Sequence, residues 1–295
     1  MLAIDPEDPT NLTMVGSPVE VSGDFPNTVA ASAQTNLVCV GSTGERNGIS
    51  CSRFSDGGLG PMDSLRSFGL TQSTPPLGPT NSVSQVFFAE DQSALFATVK
   101  GDPAVNNTGF FSVFPIISED DKAGSYVSSE DIRSSPDGTA VLFGSANIPG
   151  TSSVFATDAS FGGAILSIDP NTNEAALVAE QSIDNQQATC WVTISSTTGT
   201  AFVTDVGVSR VVEMSLADAS IISMIDLSEN GDPGLIDLRA AGNFIYALSP
   251  GNGTSQAAIT VLDVSNGPGS AKMLQHFELP EDTNTGKNSM GLVIL

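Results

Sequence analysis

Apolar and polar residues alternate along most of the chain, in short runs broken by Gly, Pro, Asn and Asp. Period-two alternation sends successive side chains to opposite faces, the pattern of half-buried β-strands. One series stands out: LVCVGS, LFATVK, VFATDA, AFVTDV and FIYALS align on Val38, Phe96, Phe155, Phe202 and Ile245, at spacings of 58, 59, 47 and 43 residues. An apolar strand precedes each of these, and two alternating strands follow. A four-strand unit repeated at such a period predicts a β-propeller. No segment carries a helical period.

The repeat also sets the phase of the chain. GAILSIDPNTNEAALV at 163–178 and MLAIDPEDPTNLTMV at 1–15 share a strand, a Leu-x-Ile-Asp-Pro or Ala-Ile-Asp-Pro turn and a second strand. The opening hairpin therefore matches the third and fourth strands of a unit. Five full units follow, and then a last strand, MGLVIL, at 290–295. The expectation is one all-β domain over 1–295, with about five full blades and two partial ones, and with N-terminal strands of the ring missing. Seven blades are expected in the full form, with six as the alternative. The innermost strands are expected at 27–32, 83–89, 139–146, 189–195, 234–240 and 289–295. They are expected to be the most buried, with Phe87, Leu142, Trp191 or Val192, and Ile236 in the core.

Composition narrows the possible partners. The chain has 33 Asp plus Glu against 10 Lys plus Arg, a net charge of −23. That field repels nucleic acid and anionic membrane, which need clustered cations to neutralise phosphate. No apolar run is long enough for a spanning helix, so membrane insertion is not expected. No signal peptide is visible at the start. Three sequons, at Asn11, Asn106 and Asn252, mark candidate glycosylation sites, and with the low Lys content they favour a secreted, extracellular protein.

Cys39 and Cys51 flank the turn GSTGERNG. A hairpin centred on Glu45 sets them directly opposite, within reach of a disulfide. Two readings stay open, a cross-strand bridge or two small buried residues. Cys190 is left over, beside Trp191.

Beyond these patterns, FPNTVAAS, STPPLGPTNSVSQVFF, TVKGDPAVNNTGFFSVFP, RSSPDGTAVLFGS, CWVTISSTTGTAFVTD and AAGNFIYALSPGNG resemble fungal secreted proteins named 3-carboxymuconate cyclase-like. These are lactonase-type, YVTN-repeat seven-bladed propellers, and AFVTD at 201–205 is close to the YVTN strand. The resemblance spans essentially the whole chain and implies seven blades and action on a small organic acid. In such propellers imidazoles ring the channel at the starts of the inner strands. Here those positions hold Asn27, Asn81, Gln187 and Asn288, amides that bond but do not shuttle protons near neutral pH.

The only histidine, His276, falls on an outer strand. Arg133, in EDIRSSPDGT, is the candidate carboxylate anchor, with pairing to Glu130 or Asp131 as the competing reading. Lys100 is a weaker candidate for the same face. Asp158 and Asp205 end equivalent strands and are read as turn formers. The acidic clusters Asp5/Glu7/Asp8 and Glu119/Asp120/Asp121 lack the spaced order of a calcium loop and read as solvated loops. No metal or cofactor is expected. The sequence favours a secreted binding module for a small polar or acidic ligand, a glycan or a protein partner. The alternative is a lactonase or carboxymuconate-cycloisomerase-like enzyme.

Overall fold

A computed structural model describes residues 1–119, 124–283 and 285–294. Asp120 and Asp121 lie outside the described residues. Among the described residues strands dominate, with three single turns of 3-10 helix at Pro103–Val105, Ser228–Asn230 and Glu281–Thr283. The chain divides into two compact units. The first is Met1–Asp102 with Phe110–Arg133, and the second is Pro103–Gly109 with Ser134–Leu295.

In the first unit, β1 (Leu2–Ile4) and β2 (Leu12–Met14) form the opening hairpin, in register Leu2 to Met14. β3 (Pro26–Ser32), β4 (Leu37–Ser42) and β5 (Gly48–Ser55) pair in sequence, and the short β6 (Gly58–Leu59) and β7 (Arg66–Ser67) both pair with β5. The next sheet runs β8 (Ser82–Phe88), β9 (Ala94–Lys100), β10 (Phe110–Glu119) and β11 (Gly124–Val127), with β12 (Ile132–Ser134) also on β10. The leading strands of these two sheets, β3 and β8, lie side by side.

The second unit holds three regular four-stranded antiparallel sheets. They are β13 (Leu142–Asn147) to β14 (Ser153–Asp158), β15 (Gly162–Ile168) and β16 (Ala175–Ser182); β17 (Thr189–Ser195) to β18 (Thr200–Asp205), β19 (Arg210–Ser215) and β20 (Ile221–Asp226); and β21 (Asp237–Ala241) to β22 (Phe244–Ser249), β23 (Ala258–Asp263) and β24 (Lys272–Glu278). Each pairs strictly in chain order, and the leading strands β13, β17 and β21 are neighbours. Four-stranded meanders joined through their first strands are the blades of a β-propeller.

Packing explains which strands are most buried. The second strand of a blade has a partner on each edge and a neighbouring blade on its faces. Every residue of β9 and β18 is buried, as are Val154–Asp158 of β14. The leading strands are more open, contrary to the expectation from the sequence: Leu142 and Val192 are buried, but Phe87, Trp191 and Ile236 are partly exposed. A leading strand is the edge of its sheet, so only part of it meets a neighbouring blade. The core lies between blades, as in the cluster of Phe155, Ile165, Val203, Val212 and Met214. Each such fully buried side chain contributes ~1.5–3 kcal/mol of transfer free energy.

A second correction concerns the last segment. Residues 285–294 form no strand; instead the Leu292 amide donates to the Asp237 carboxylate at 2.8 Å.

The hairpin reading of the cysteines holds residue for residue. β4 and β5 pair Leu37 with Arg53, Cys39 with Cys51 and Ser42 with Gly48, and Cys39 and Cys51 form a disulfide with Cα atoms 4.0 Å apart. Cys190 is a buried thiol outside the disulfide, its Sγ 3.3 Å from the Ile236 carbonyl.

Candidate functional site

Four of the residues singled out from the sequence belong to the first unit. Asn27 reaches from β3 to the next blade, its Nδ2 donating to the Val83 carbonyl at 2.7 Å. Asn81 sits just before β8 at φ 52°, and its Nδ2 donates to the Thr71 carbonyl at 2.8 Å. Both amides thus fasten backbone around the start of β8. Lys100 ends β9 opposite Ser82 and is buried. A cleft of about 360 Å³ beside Asn81 is lined by Thr71, Gln72, Leu77 and Asp102 among others.

Arg133 is committed to its own surroundings. Its Nε donates to Asp131 at 2.7 Å, Nη1 to the Phe68 carbonyl at 2.9 Å and Nη2 to the Ser67 carbonyl at 3.1 Å. The guanidinium also lies over the rings of Phe68 and Phe110 at 5.3 and 4.7 Å. The competing reading, pairing with Asp131, describes this geometry, and Arg133 is a clasp between β7 and β12.

In the second unit, Gln187 donates its backbone N–H to Asp205, and Asn288 lies exposed in a turn. Asp158 and Asp205 do more than form turns. Asp158 accepts the N–H groups of Ala140, Val141 and Ser160, and Asp205 those of Gln187, Ala188 and Gly207. Each carboxylate therefore clips the start of its own blade's leading strand. His276, on β24, has its Nε2 3.2 Å from both oxygens of Asp232. Burial pushes the Asp232 carboxyl up, against the opposing pull of His276.

The third blade breaks the pattern, and here the site emerges. Register pairs Leu142 with Asp158, Thr189 with Asp205, and Asp237 with Leu248. The carboxylate has changed sides, from the second strand to the leading one. Asp237 Oδ1 accepts the Leu238 N–H at 2.7 Å and Arg239 Nη1 at 2.8 Å, and Oδ2 accepts the Leu292 N–H. Its side chain is 5% exposed and that of Arg239 34%. Burial raises the Asp237 carboxyl above its ordinary value, against the opposing charge of Arg239 and the backbone donors.

Arg239 Nη1 also donates to the Leu238 carbonyl, while Nε and Nη2 make no hydrogen bond among the described residues. The guanidinium lies 5.6 Å from the ring of Trp191 on β17, which meets Phe143 on β13 edge to face at 5.9 Å. Gly144 makes room: a Cβ there would stand 2.8 Å from the Cys190 carbonyl oxygen and from Trp191 Cα. Phe143, Trp191 and Arg239 thus form a row across three leading strands. An aromatic face, a guanidinium edge with two open donors and a buried carboxylate holding that guanidinium together suit an oxygen-rich, ring-shaped or anionic ligand. Sequence reasoning missed Asp237 and Arg239, although the Leu248 that follows FIYA, where FATD and FVTD carry Asp, was a visible signal.

Among the described residues no group of three His, Cys, Asp or Glu side chains is placed to hold a metal ion, and no helix is long and apolar enough to cross a membrane. All three sequon asparagines are exposed; in one, Asn252 Oδ1 accepts the Thr254 hydroxyl at 2.6 Å.

No protein-family model matches the chain, and no curated protein matches it. Solved structures do. A 6-phosphogluconolactonase-like protein of Bacteroides uniformis superposes with a TM-score of 0.62 at 15% identity, over 85% of this chain and 71% of that one. The periplasmic gluconolactonase PpgL of Pseudomonas aeruginosa gives 0.62 at 14% identity, over 94% and 78%. Sqt1 of Chaetomium thermophilum, bound to the N-terminus of ribosomal protein L10, gives 0.52 at 12% identity, over 90% and 78%. At these identities the likeness establishes the propeller fold.

Proposed function

We propose that this protein is a secreted lactonase-type propeller acting on a small organic acid lactone at the Trp191–Arg239–Asp237 site. The observation that carries the reading is Arg239, a cation braced by a buried carboxylate, stacked on an aromatic ring and left with two open donors. A lactone ring packs on Trp191 and turns its carbonyl to Nε and Nη2 of Arg239. The guanidinium polarises the carbonyl and holds the charge that develops on oxygen when solvent water attacks, the kind of preorganised stabilisation worth ~10²–10³ in rate; the adduct then breaks the ring C–O bond, and the departing ring oxygen takes up a proton from solvent as the attacking water gives one up, leaving the open hydroxy acid. Asp237 is a positioning residue: it fixes Arg239 and balances its charge. The gluconolactonase-like structures support this reading, as does the resemblance to fungal cyclase-like propellers. Secretion is supported by the Cys39–Cys51 bridge and by the exposed sequons at Asn11, Asn106 and Asn252.

The test follows acid release from glucono-1,5-lactone, with Arg239→Gln and Asp237→Asn beside the wild type. Catalysis above the spontaneous rate, lowered about a hundredfold in Arg239→Gln, is expected. A wild type no faster than buffer sinks the enzyme. A second reading, binding without turnover, is favoured by the absence of an imidazole from the site, since His276 is held by Asp232 on an outer strand. It also fits the protein-bound Sqt1 propeller. Its signature is quenching of Trp191, the only tryptophan, by gluconate with no hydrolysis of the lactone.

A further inference from the structure

A cavity sharing no residue with the Trp191–Arg239 site lies in the middle blade of the second unit, where β19 begins and β20 ends. It measures about 320 Å³, at the small end of the ~300–1,000 Å³ usual for ligand pockets, and is lined by Val208, Ser209, Arg210, Met224, Asp226 and Ser228. Arg210 is the group that needs explaining. Its side chain is 13% exposed. Nη2 donates to the Asp184 carbonyl at 2.9 Å, and among the described residues Nη1 makes no hydrogen bond and the buried Nε has no partner. Among the described residues it is the one arginine with such an orphaned nitrogen. Arg66, by contrast, spends Nε, Nη1 and Nη2 on Ser128, Asp63 and Val127.

Neighbouring carboxylates do not answer the need. Asp205 stands 4.0 Å away, with its oxygens already taken by three backbone N–H groups. Asp226 is directly opposite Arg210 in the strand register, yet the two form no ion pair. One Asp226 oxygen accepts the Ser228 N–H at 2.9 Å, and hydrogen bonds from Ser228 hold this carboxyl below its ordinary range, so it is ionised at neutral pH. The cavity therefore presents a cation whose Nη1 is unused and, across from it, an anion with an unused oxygen. Val208 and Met224 supply apolar lining.

A simple anion is a poor match, because it would meet Asp226 and Asp205 as well as Arg210. A ligand that carries an ammonium and a carboxylate on the same carbon satisfies both walls. We infer that this cavity binds a free α-amino acid with an aliphatic side chain. Its carboxylate is held by Arg210, its ammonium by Asp226 and its side chain by Val208 and Met224.

Isothermal titration with L-leucine at neutral pH tests this. Saturable binding is expected, weakened at least tenfold by Arg210→Gln and by Asp226→Asn. Leucinamide, which lacks the carboxylate, and N-acetyl-leucine, which lacks the ammonium, should each bind at least tenfold more weakly. Arg239→Gln should leave leucine binding intact, which separates this cavity from the lactone site. If Arg210→Gln fails to fold, the exposed Asp226 variant and the two analogues decide alone. No saturable heat with millimolar leucine, equal binding of N-acetyl-leucine, or undiminished binding in Asp226→Asn overturns the inference.

Discussion

Replacing Arg133 with alanine separates a structural arginine from a ligand-binding one. The side chain makes three charge-assisted hydrogen bonds, to Asp131 and to the carbonyls of Phe68 and Ser67, and lies over two phenylalanine rings. At 37% exposed it is partly screened, so each bond is worth ~0.5–1 kcal/mol rather than the larger values of buried charged pairs. The ring contacts add ~0.5–1 kcal/mol. Together Arg133→Ala should lower the unfolding free energy by about 2–4 kcal/mol. Urea unfolding followed by circular dichroism reads this as a lower midpoint at an unchanged slope. Arg133→Lys should recover less than half, because one ammonium cannot reach a carboxylate and two carbonyls in the geometry of a fork. Lactone turnover by the folded variant should match the wild type. An alanine variant within ~0.5 kcal/mol of the wild type, the scatter of ordinary surface changes, would show that the clasp contributes nothing. Lost turnover in a stable variant would return Arg133 to the site.

Two further outcomes are expected. The Cys39→Ala/Cys51→Ala double variant, which opens a loop of sequence separation 12, should lose about 3 kcal/mol by chain entropy; a loss under ~1 kcal/mol in the same urea assay argues that the hairpin is closed without the bridge. For Asp237, burial raises the folded carboxyl above its ordinary value of 3.8, so the native state holds its proton more tightly and the stability this confers is lost as pH rises through that window. Asp237→Asn should therefore gain stability relative to the wild type as pH climbs from 3.8 upward, and a flat difference between the two unfolding series contradicts the shift.

The blades were legible because period-two alternation and the FATD and FVTD series are local signals, and local patterns survive into strands such as β14 and β18. The disulfide was legible for the same reason: a tight hairpin converts sequence spacing into register. What failed was anything that depends on which edge of a sheet meets what. MGLVIL has the composition of a strand, but Asp237 captures the amide of Leu292 and no ladder forms there. Arg133 was rated by its scarcity in an acidic chain, while its partners Ser67 and Phe68 lie some 65 residues away. Arg239 went unnoticed because neither its cradle nor its open donors can be read from RAAGN alone. They follow from a change of side by one carboxylate, of which the sequence shows only the Leu248 standing where FATD and FVTD carry Asp.

That change of side has a consequence for how the site behaves. Elsewhere the clipping carboxylate answers only to its own blade, but Asp237 answers at once to Arg239 and to the amide of Leu292. Whatever draws Arg239 toward a ligand alters the grip on the tail, and whatever frees the tail alters the guanidinium. By thermodynamic reciprocity the two effects are equal in size. Residues 286–294 are thus a built-in reporter: a probe attached there should register occupancy at Arg239, to which the segment is joined through Asp237.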